Sequence, residues 1–417
     1  MRYAARHREF ESHPLRHMQE KKTLRKKMKI GIFTDTYSPD INGVAVSIAT
    51  AEAVLLNAGH EVFVVAPNQK FKYESSNEKH LYKLLSIKFY GEKRFRVALP
   101  IALPRAVRDL PIDIVHTQTP FSIGEVGIDV AKSQKLPLVY THHTRYAEYA
   151  HYLGIPKSLL NFVIDSGMKQ IVAFINKHNV IIAPSRGIKH ELESLGVTQP
   201  IHIIPTGIDI QKAIALSKLK KGTLVVSKFI SEKKPELIIF SSRLGKEKNI
   251  EFLLRAMQIV LEARPSAYFL IIGDGNEKTH LEEVVKGMGL EKRIIFAGFM
   301  GHEDMYPLYR VAKVFVFSSL SETQGLVLLE AMALGLPAVA LKATGVEDLF
   351  EDGKGGFLIE ENNPDIFAHA VIRILKNPSL QKIKSREATV RARDFSLART
   401  TKKLLDLYQG VITDIKE

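Results

Sequence analysis

The 417-residue sequence has no cysteine and no tryptophan. Without a thiol there is no disulfide, no thiolate metal site and no cysteine nucleophile, which suits a reducing cytoplasm. No run approaches the roughly 18 to 20 consecutive apolar residues that a membrane-spanning helix needs, because Pro100, Pro104 and glycines break the longest uncharged stretches. No aspartate stands two residues from another, and the only His-x3-His pair, His13 and His17, encloses Pro14. A D-x-D site and a helical two-histidine site are thereby missing, and no metal is expected. What is present is ordinary: 45% hydrophobic and 25% charged residues, close to the average of globular chains, which argues against wholesale disorder or a coiled-coil rod. At roughly 100 to 200 residues per domain, the length calls for two or three compact units.

The formal net charge of +14 is concentrated in two places. Residues 1 to 29 hold ten Lys or Arg against three Glu, and residues 70 to 108 again hold ten against three. Each stretch is therefore +7, and the rest of the chain is close to neutral. Residues 1–27 lack the apolar stretch of a secretory signal; they read as a disordered basic leader, or as an upstream extension of a frame that starts at Met28. In the second stretch Lys83, Lys88, Lys93, Arg94 and Arg96 interleave with Phe89, Tyr90 and Phe95 before the apolar VALPIALP. Aromatic rings favour the headgroup level and basic side chains favour anionic lipid. These eight residues are expected to lie on a membrane without crossing it, the plainer alternative being a solvated basic loop.

From Met28 onward, short β-branched runs alternate with longer helical patterns, the signature of βαβ units. Strands are expected at residues 30–33, 62–66, 113–116, 138–141, 180–184 and 202–205, then at 237–241, 268–273, 293–297, 314–318, 338–341 and 357–359. Most are near-continuous apolar runs, as in parallel strands covered on both faces. The fold class is α/β, with Rossmann-like domains at 28–210 and 236–395. Residues 211–235 between them are Lys-rich and without pattern, and read as a linker. Residues 396–417 carry an amphipathic helix with Leu397, Leu404, Leu405, Leu407 and Tyr408, which either closes the second domain or crosses back to the first.

In open parallel sheets, ligands bind beyond the carboxyl ends of the strands. After the first strand, Gly43 opens a helix; lacking a Cβ, it would let a phosphate approach the positive helix end, though Asn-Gly is also an ordinary turn. Arg243 and Lys248, five residues apart on a strand-to-helix loop, could grip a diphosphate from two sides. Gly273-Asp274-Gly275 is a bare G-x-G and reads as a turn. The clearest signal is Glu322, eight residues before Glu330. On one continuous helix the two would diverge by roughly 80°. A helix starting near Gln324 or Gly325 instead leaves Glu322 in the loop, Glu330 on the helix and free N–H groups between them. Glu330 stands in the apolar stretch LVLLEAMAL, where a charge is costly unless hydrogen-bonded. Vicinal sugar hydroxyls or a core arginine would serve. His116, His142 and His143 each follow a strand and are expected to converge on one crevice.

Together these residues resemble the retaining, nucleotide-sugar-dependent glycosyltransferases of the GT-B fold that carry an E-x7-E motif. The resemblance runs from Met28 to about Tyr408 and rests on Arg243, Lys248, Glu322, Glu330 and AMALGLPAVA, in that order. It implies two Rossmann-like domains facing each other across a cleft, with the last helix returning to the first domain. It implies that Arg243 and Lys248 hold the donor diphosphate and act in catalysis, and that Gly43 approaches the diphosphate from the first domain. Glu322 would hold hydroxyls of the donor sugar, and Glu330 the ribose. Thr323, Gln324, Gly325 and Leu326 would place backbone donors on the phosphate and sugar. His143 matches the catalytic histidine beside the transferred sugar, with His116, His142 and Tyr37 lining the cleft or acceptor side.

Within that group, FTDTYSPDINGVAVSI, HTQTPFSIG and YTHHTRYAEY look most like the bacterial 1,2-diacylglycerol 3-alpha-glucosyltransferases. This resemblance implies transfer of a hexose, glucose from UDP-glucose, to the 3-hydroxyl of diacylglycerol, giving a membrane glycolipid. It also implies retained anomeric configuration, no metal or other cofactor, and a cytoplasmic protein peripheral to the inner face of the cell membrane. The rivals are a related enzyme with another lipid or saccharide acceptor, such as a phosphatidylinositol mannosyltransferase, and a nucleotide-sugar epimerase. A basic nucleic-acid-binding protein would account for the charge but not for Glu330 or the strand-end histidines, so no nucleic acid partner is expected.

Overall fold

The computed structural model describes residues 27–415 except 39, 41, 69–71, 77–79, 89–95, 100–102, 149–156 and 351–352. The described strands are β1 Lys29–Phe33, β2 Glu61–Pro67, β3 Glu74–Ser76, β4 Leu81–Leu84, β5 Ser86–Lys88, β6 Arg96–Ala98, β7 Ile114–Thr117, β8 Leu138–Thr141, β9 Val180–Ala183 and β10 Ile201–Ile203, followed by β11 Glu236–Ser241, β12 Ala267–Ile272, β13 Ile294–Gly298, β14 Val314–Phe317, β15 Ala338–Leu341 and β16 Gly356–Ile359. The first sheet has the order β10-β9-β8-β7-β1-β2-β4-β3 and is parallel except for β3 at its edge. The second is parallel throughout, in the order β13-β12-β11-β14-β15-β16. Each sheet starts at its centre and winds outward both ways. The strand order therefore reverses between β1 and β7 and between β11 and β14, where α/β sheets open a ligand crevice. All twelve strands expected from apolar runs are present with ends within two residues of expectation. Their side chains are buried along the whole of β7, β8, β9, β14 and β15.

The described part of the basic strip is more regular than a loop. Within it, β4 pairs with β2, burying Tyr82 and Leu84 on one face, while Lys83 alternates between them. β5 and β6 form a separate antiparallel pair. Arg96, expected on a membrane face, instead clamps that pair: its Nε donates to Ser86 Oγ at 2.7 Å and its terminal nitrogen to the Ser86 carbonyl at 2.9 Å. Lys88 ends β5. Phe89, Tyr90, Lys93, Arg94 and Phe95, like leader residues 1–26, lie outside the described residues.

The expectation that 211–235 is a patternless linker is corrected. It holds helices Ile210–Leu216 and Gly222–Val226, and Ala213, Val225, Val226 and Ile230 are buried in the core of the second domain. Helices of seven and five residues are too short for a 3.6-residue period to stand out against the lysines between them.

The last helix, Leu397–Asp414, crosses back to the first domain. Its Leu405 and Tyr408 join a buried cluster with Ile30, Ile32, Val62 and Val64 of β1 and β2. The crossing runs beside the outgoing one, because Ile208 and Ser396 pair as an isolated parallel bridge. Tyr408 pins the helix by its hydroxyl, 2.5 Å from His116 Nδ1, while His116 Nε2 lies 2.7 Å from Thr141 Oγ1. Burial drives the His116 pKa down to about 3, so the ring is neutral, with one nitrogen donating and the other accepting. Tyr408→Phe leaves a buried ring nitrogen without its partner. It is expected to cost about 1–3 kcal/mol, read as a lower urea midpoint with an unchanged slope.

Candidate active site between the two domains

The second domain brings its expected residues together at the carboxyl ends of β11 and β14. The loop after β11 carries Arg243 and Lys248, and the loop after β14 carries Glu322. Lys248 Nζ donates to Glu322 Oε1 at 2.6 Å, with side-chain exposures of only 10% and 20%. Ser318 Oγ fixes the loop by donating to the Lys248 carbonyl at 2.7 Å. Arg243 is more open, 40% exposed, and donates to the buried carboxylate of Glu247 at 2.6 Å. Each cation is thus held by a carboxylate, so its position is fixed before an anion arrives.

The two glutamates occupy a loop and a helix, as their spacing suggested. The helix is Leu326–Ala333 with Gly325 as its N-cap at φ 74°, a left-handed position that glycine adopts without strain. Glu322 precedes it and Glu330 lies on its second turn. Residues 322–324 are pressed against Gly345, where a Cβ would sit 2.3 Å from the Glu322 carbonyl oxygen. Glu330 Oε2 is buried and has no hydrogen-bond partner among the described residues. Tyr306 lies beside the carboxyl. His302, stacked on Tyr306 at 4.6 Å between ring centres, places Nε2 3.9 Å from Glu330 Oε1. Burial pushes the Glu330 pKa up to about 7. A buried carboxylate oxygen without a donor is costly, and a pair of vicinal hydroxyls would supply what it lacks.

The first domain meets this loop directly. Thr323 Oγ1 donates to the main-chain carbonyl of His143 at 3.0 Å. Gln324 is clasped to Thr206 by both amide atoms, accepting from the Thr206 N–H at 2.7 Å and donating to its carbonyl at 2.8 Å. Thr206 Oγ1 lies 3.0 Å from Ser47 Oγ, on the helix Gly43–Asn57. The helix that Gly43 opens is therefore coupled to the loop that carries Glu322. A Cβ built on Gly43 would meet nothing within 4 Å, so the space on that side of the backbone is open.

The histidines divide. His143 is half-buried at the boundary, with Nε2 2.6 Å from Gln118 Oε1, so that nitrogen carries the proton and Nδ1 is the acceptor. Burial lowers its pKa to about 4, which keeps the ring neutral. The expectation that His116 and His142 share its crevice is corrected. His116 is 4% exposed and bonded to Tyr408 and Thr141, whereas His142 is 2% exposed and packs edge-on to Tyr140 and Tyr146. Consecutive residues leaving a strand point opposite ways, which separates His142 from His143. Tyr37 donates its hydroxyl to Glu52 at 2.5 Å and braces the first helix.

Sequence reasoning missed several residues of this region. Arg145 donates to Glu191 at 2.8 Å in its own domain and to the Leu320 carbonyl at 2.9 Å in the other. Asp35, buried at the end of β1, accepts from Thr119, Ser122 and the Ile123 N–H and so anchors the start of helix Ser122–Gln134. His302 and Tyr306 complete the Glu330 pocket. Arg145 stood in the quoted YTHHTRYAEY stretch, but nothing marked a partner 175 positions away.

Residues 226–392 match the family of glycosyl transferases group 1, and residues 41–212 match glycosyltransferase family 4. The chain is 30% identical over 393 residues to an alpha-monoglucosyldiacylglycerol synthase of Acholeplasma laidlawii, covering 92% of this chain and 98% of that protein. It is 33% identical over 343 residues to a protein of the same name in Streptococcus pneumoniae, covering 79% and 75%. Among solved structures, the Anabaena protein Alr3699/HepE in complex with UDP superposes with a TM-score of 0.70 at 19% identity, over 92% of this chain and all of that one. A crystal of the same protein with UDP-glucose gives 0.69. Two doubly wound sheets joined by a returning helix, paired cations facing a two-glutamate loop, and relatives matched along nearly the whole length agree: the chain belongs to the group 1 glycosyltransferases and is a nucleotide-sugar-dependent hexosyltransferase of the GT-B fold.

Proposed function

We propose that the enzyme moves glucose from UDP-glucose to the 3-hydroxyl of a 1,2-diacylglycerol, with retention at the anomeric carbon, at the inner face of the cell membrane. The observation that carries this reading is the match to a diacylglycerol-glucosylating relative over 92% of the chain. The orphaned oxygen of Glu330 fits a ribose, whose two hydroxyls donate to it. UDP-glucose is the nucleotide sugar crystallised with the Anabaena protein of the same fold.

In this reading Arg243 and Lys248 face the diphosphate and Glu322 the hexose. The bond from the anomeric carbon to the diphosphate oxygen breaks, and the acceptor oxygen bonds to that carbon on the same face. The acceptor proton passes to the departing phosphate oxygen. Double displacement would need a carboxylate beneath the anomeric carbon. Asp35 is unsuited, since both its oxygens already accept hydrogen bonds within the first domain. His143, neutral and adjoining the Thr323 loop, contacts the sugar in this reading. In the first domain, the basic aromatic strip supplies the membrane contact.

In this reading the positive charge facing the leaving diphosphate comes from the side chains of Arg243 and Lys248. Turnover is therefore expected to persist in EDTA; strict dependence on Mg²⁺ or Mn²⁺ would contradict this. The acceptor and donor are tested by incubating the enzyme with UDP-glucose or GDP-mannose and dispersed diacylglycerol or phosphatidylinositol, followed by mass analysis of the lipids. Hexosyl-diacylglycerol formed from UDP-glucose supports the reading. A mannosylated phosphatidylinositol, or UDP released with no lipid product, overturns it.

A further inference from the structure

We propose a second lipid-docking surface, on the second domain at residues 212–234, that rests on an anionic leaflet. It goes beyond the acceptor assignment, because docking is read without any sugar donor. The segment holds seven lysines, at 212, 218, 220, 221, 228, 233 and 234, against the single acidic residue Glu232. All seven are exposed, and so are two leucines among them, Leu219 at 51% and Leu224 at 63%. Leu219, Lys220, Lys221, Leu224, Val225 and Lys228 line one shallow groove.

The leucines are presented by a fixed support. Helix Gly222–Val226 lies against helix His302–Val311 so closely that a Cβ on Gly222 would sit 2.3 Å from the Pro307 carbonyl oxygen. Val225 and Val226 are buried beneath it, which leaves Leu224 facing outward. The acidic groups facing the segment are Asp304, which accepts from Lys220 at 2.8 Å, and Glu303 beside it. Lys220 is thus held by its own domain, and Lys218, Lys221 and Lys228 carry the attraction outward. Apolar side chains ringed by lysines match a leaflet better than an acidic protein: leucines enter the acyl boundary while ammonium groups stay at the phosphates. Charge and leucine burial then contribute separately.

The test is sedimentation of the full chain with vesicles of phosphatidylglycerol and phosphatidylcholine, or of phosphatidylcholine alone, with no donor present. In low salt, Lys218→Ser/Lys221→Ser/Lys228→Ser is expected to lower partition onto the anionic vesicles by at least about tenfold. Leu219→Ser/Leu224→Ser is expected to lower it by a similar factor. The first loss should shrink in high salt and the second should remain. UDP affinity and transfer to a short-chain, water-dispersed diacylglycerol should be unchanged in both variants. Wild-type partition by both variants overturns the proposal, as does a wild type that ignores anionic vesicles, which would leave an acidic protein as the partner. If short-chain diacylglycerol receives no sugar from the wild type, the acceptor reading fails while the vesicle result stands on its own.

Discussion

Lys248→Ala is expected to lower kcat by about 10²- to 10³-fold, with a much smaller change in donor affinity. The ammonium is 10% exposed and already aimed, held at 2.6 Å by Glu322 and backed by the Ser318 contact to its own carbonyl. Charge on the diphosphate grows as the glycosidic bond breaks, and a shielded cation gains most from that growth. Lys248→Arg keeps the charge but forces a planar group into a narrow space, so partial activity is expected. Arg243→Ala should do less, because its guanidinium is 40% exposed. Steady-state kinetics separates the cases: an unchanged kcat with a raised KM would show that Lys248 only holds substrate.

Glu330→Ala is expected to weaken UDP binding by about 10²-fold, the loss of two hydrogen bonds to a charged group. The same residue sets a pH dependence. Burial pushes its pKa from 4.5 up to about 7, and hydroxyl donors favour the carboxylate, so the proton must leave for the ribose to be held. Wild-type affinity should therefore rise between pH 6 and pH 8 and level off above, beyond any rise from ionisation of UDP itself. Glu330→Gln should show only the latter. Stability follows the opposite course. A carboxyl whose folded pKa is raised favours the folded state most below its unfolded value of 4.5, and that contribution is lost as pH rises through about 7. Without ligand, Glu330→Gln should thus unfold at higher temperature than wild type at pH 8 and show little difference at pH 4.5. Equal UDP affinity in wild type and folded Glu330→Ala would remove the ribose assignment.

Much of the fold was legible because doubly buried parallel strands leave near-continuous apolar runs, as in FLII of β12 and VFVF of β14. The loop and helix positions of Glu322 and Glu330 followed once a helix was taken to start near Gln324 or Gly325, and it starts at Leu326. Other features left no local trace. β3 to β6 have three or four residues each and lie among lysines and arginines, so a two-residue period was masked by charge. Helix Gly222–Val226 hid in a lysine-rich stretch for the same reason. The role of His116 depends on a partner distant in sequence, Tyr408, 292 positions away. The domain contacts through Thr323, Gln324 and Arg145 are likewise products of the assembled pair of domains. A threonine, a glutamine or an arginine near a motif reveals its type, whereas its partner is fixed only by the fold.

The central claim is most directly tested by the linkage in the product. Lipid formed from UDP-glucose and 1,2-diacylglycerol would be isolated and the coupling of its anomeric proton measured by NMR. The account requires one glucose on the 3-hydroxyl with the small coupling of an α-linkage, the configuration it has in UDP-glucose. A β-linked glucose, or turnover of UDP-glucose that leaves the lipid unmodified, would contradict it.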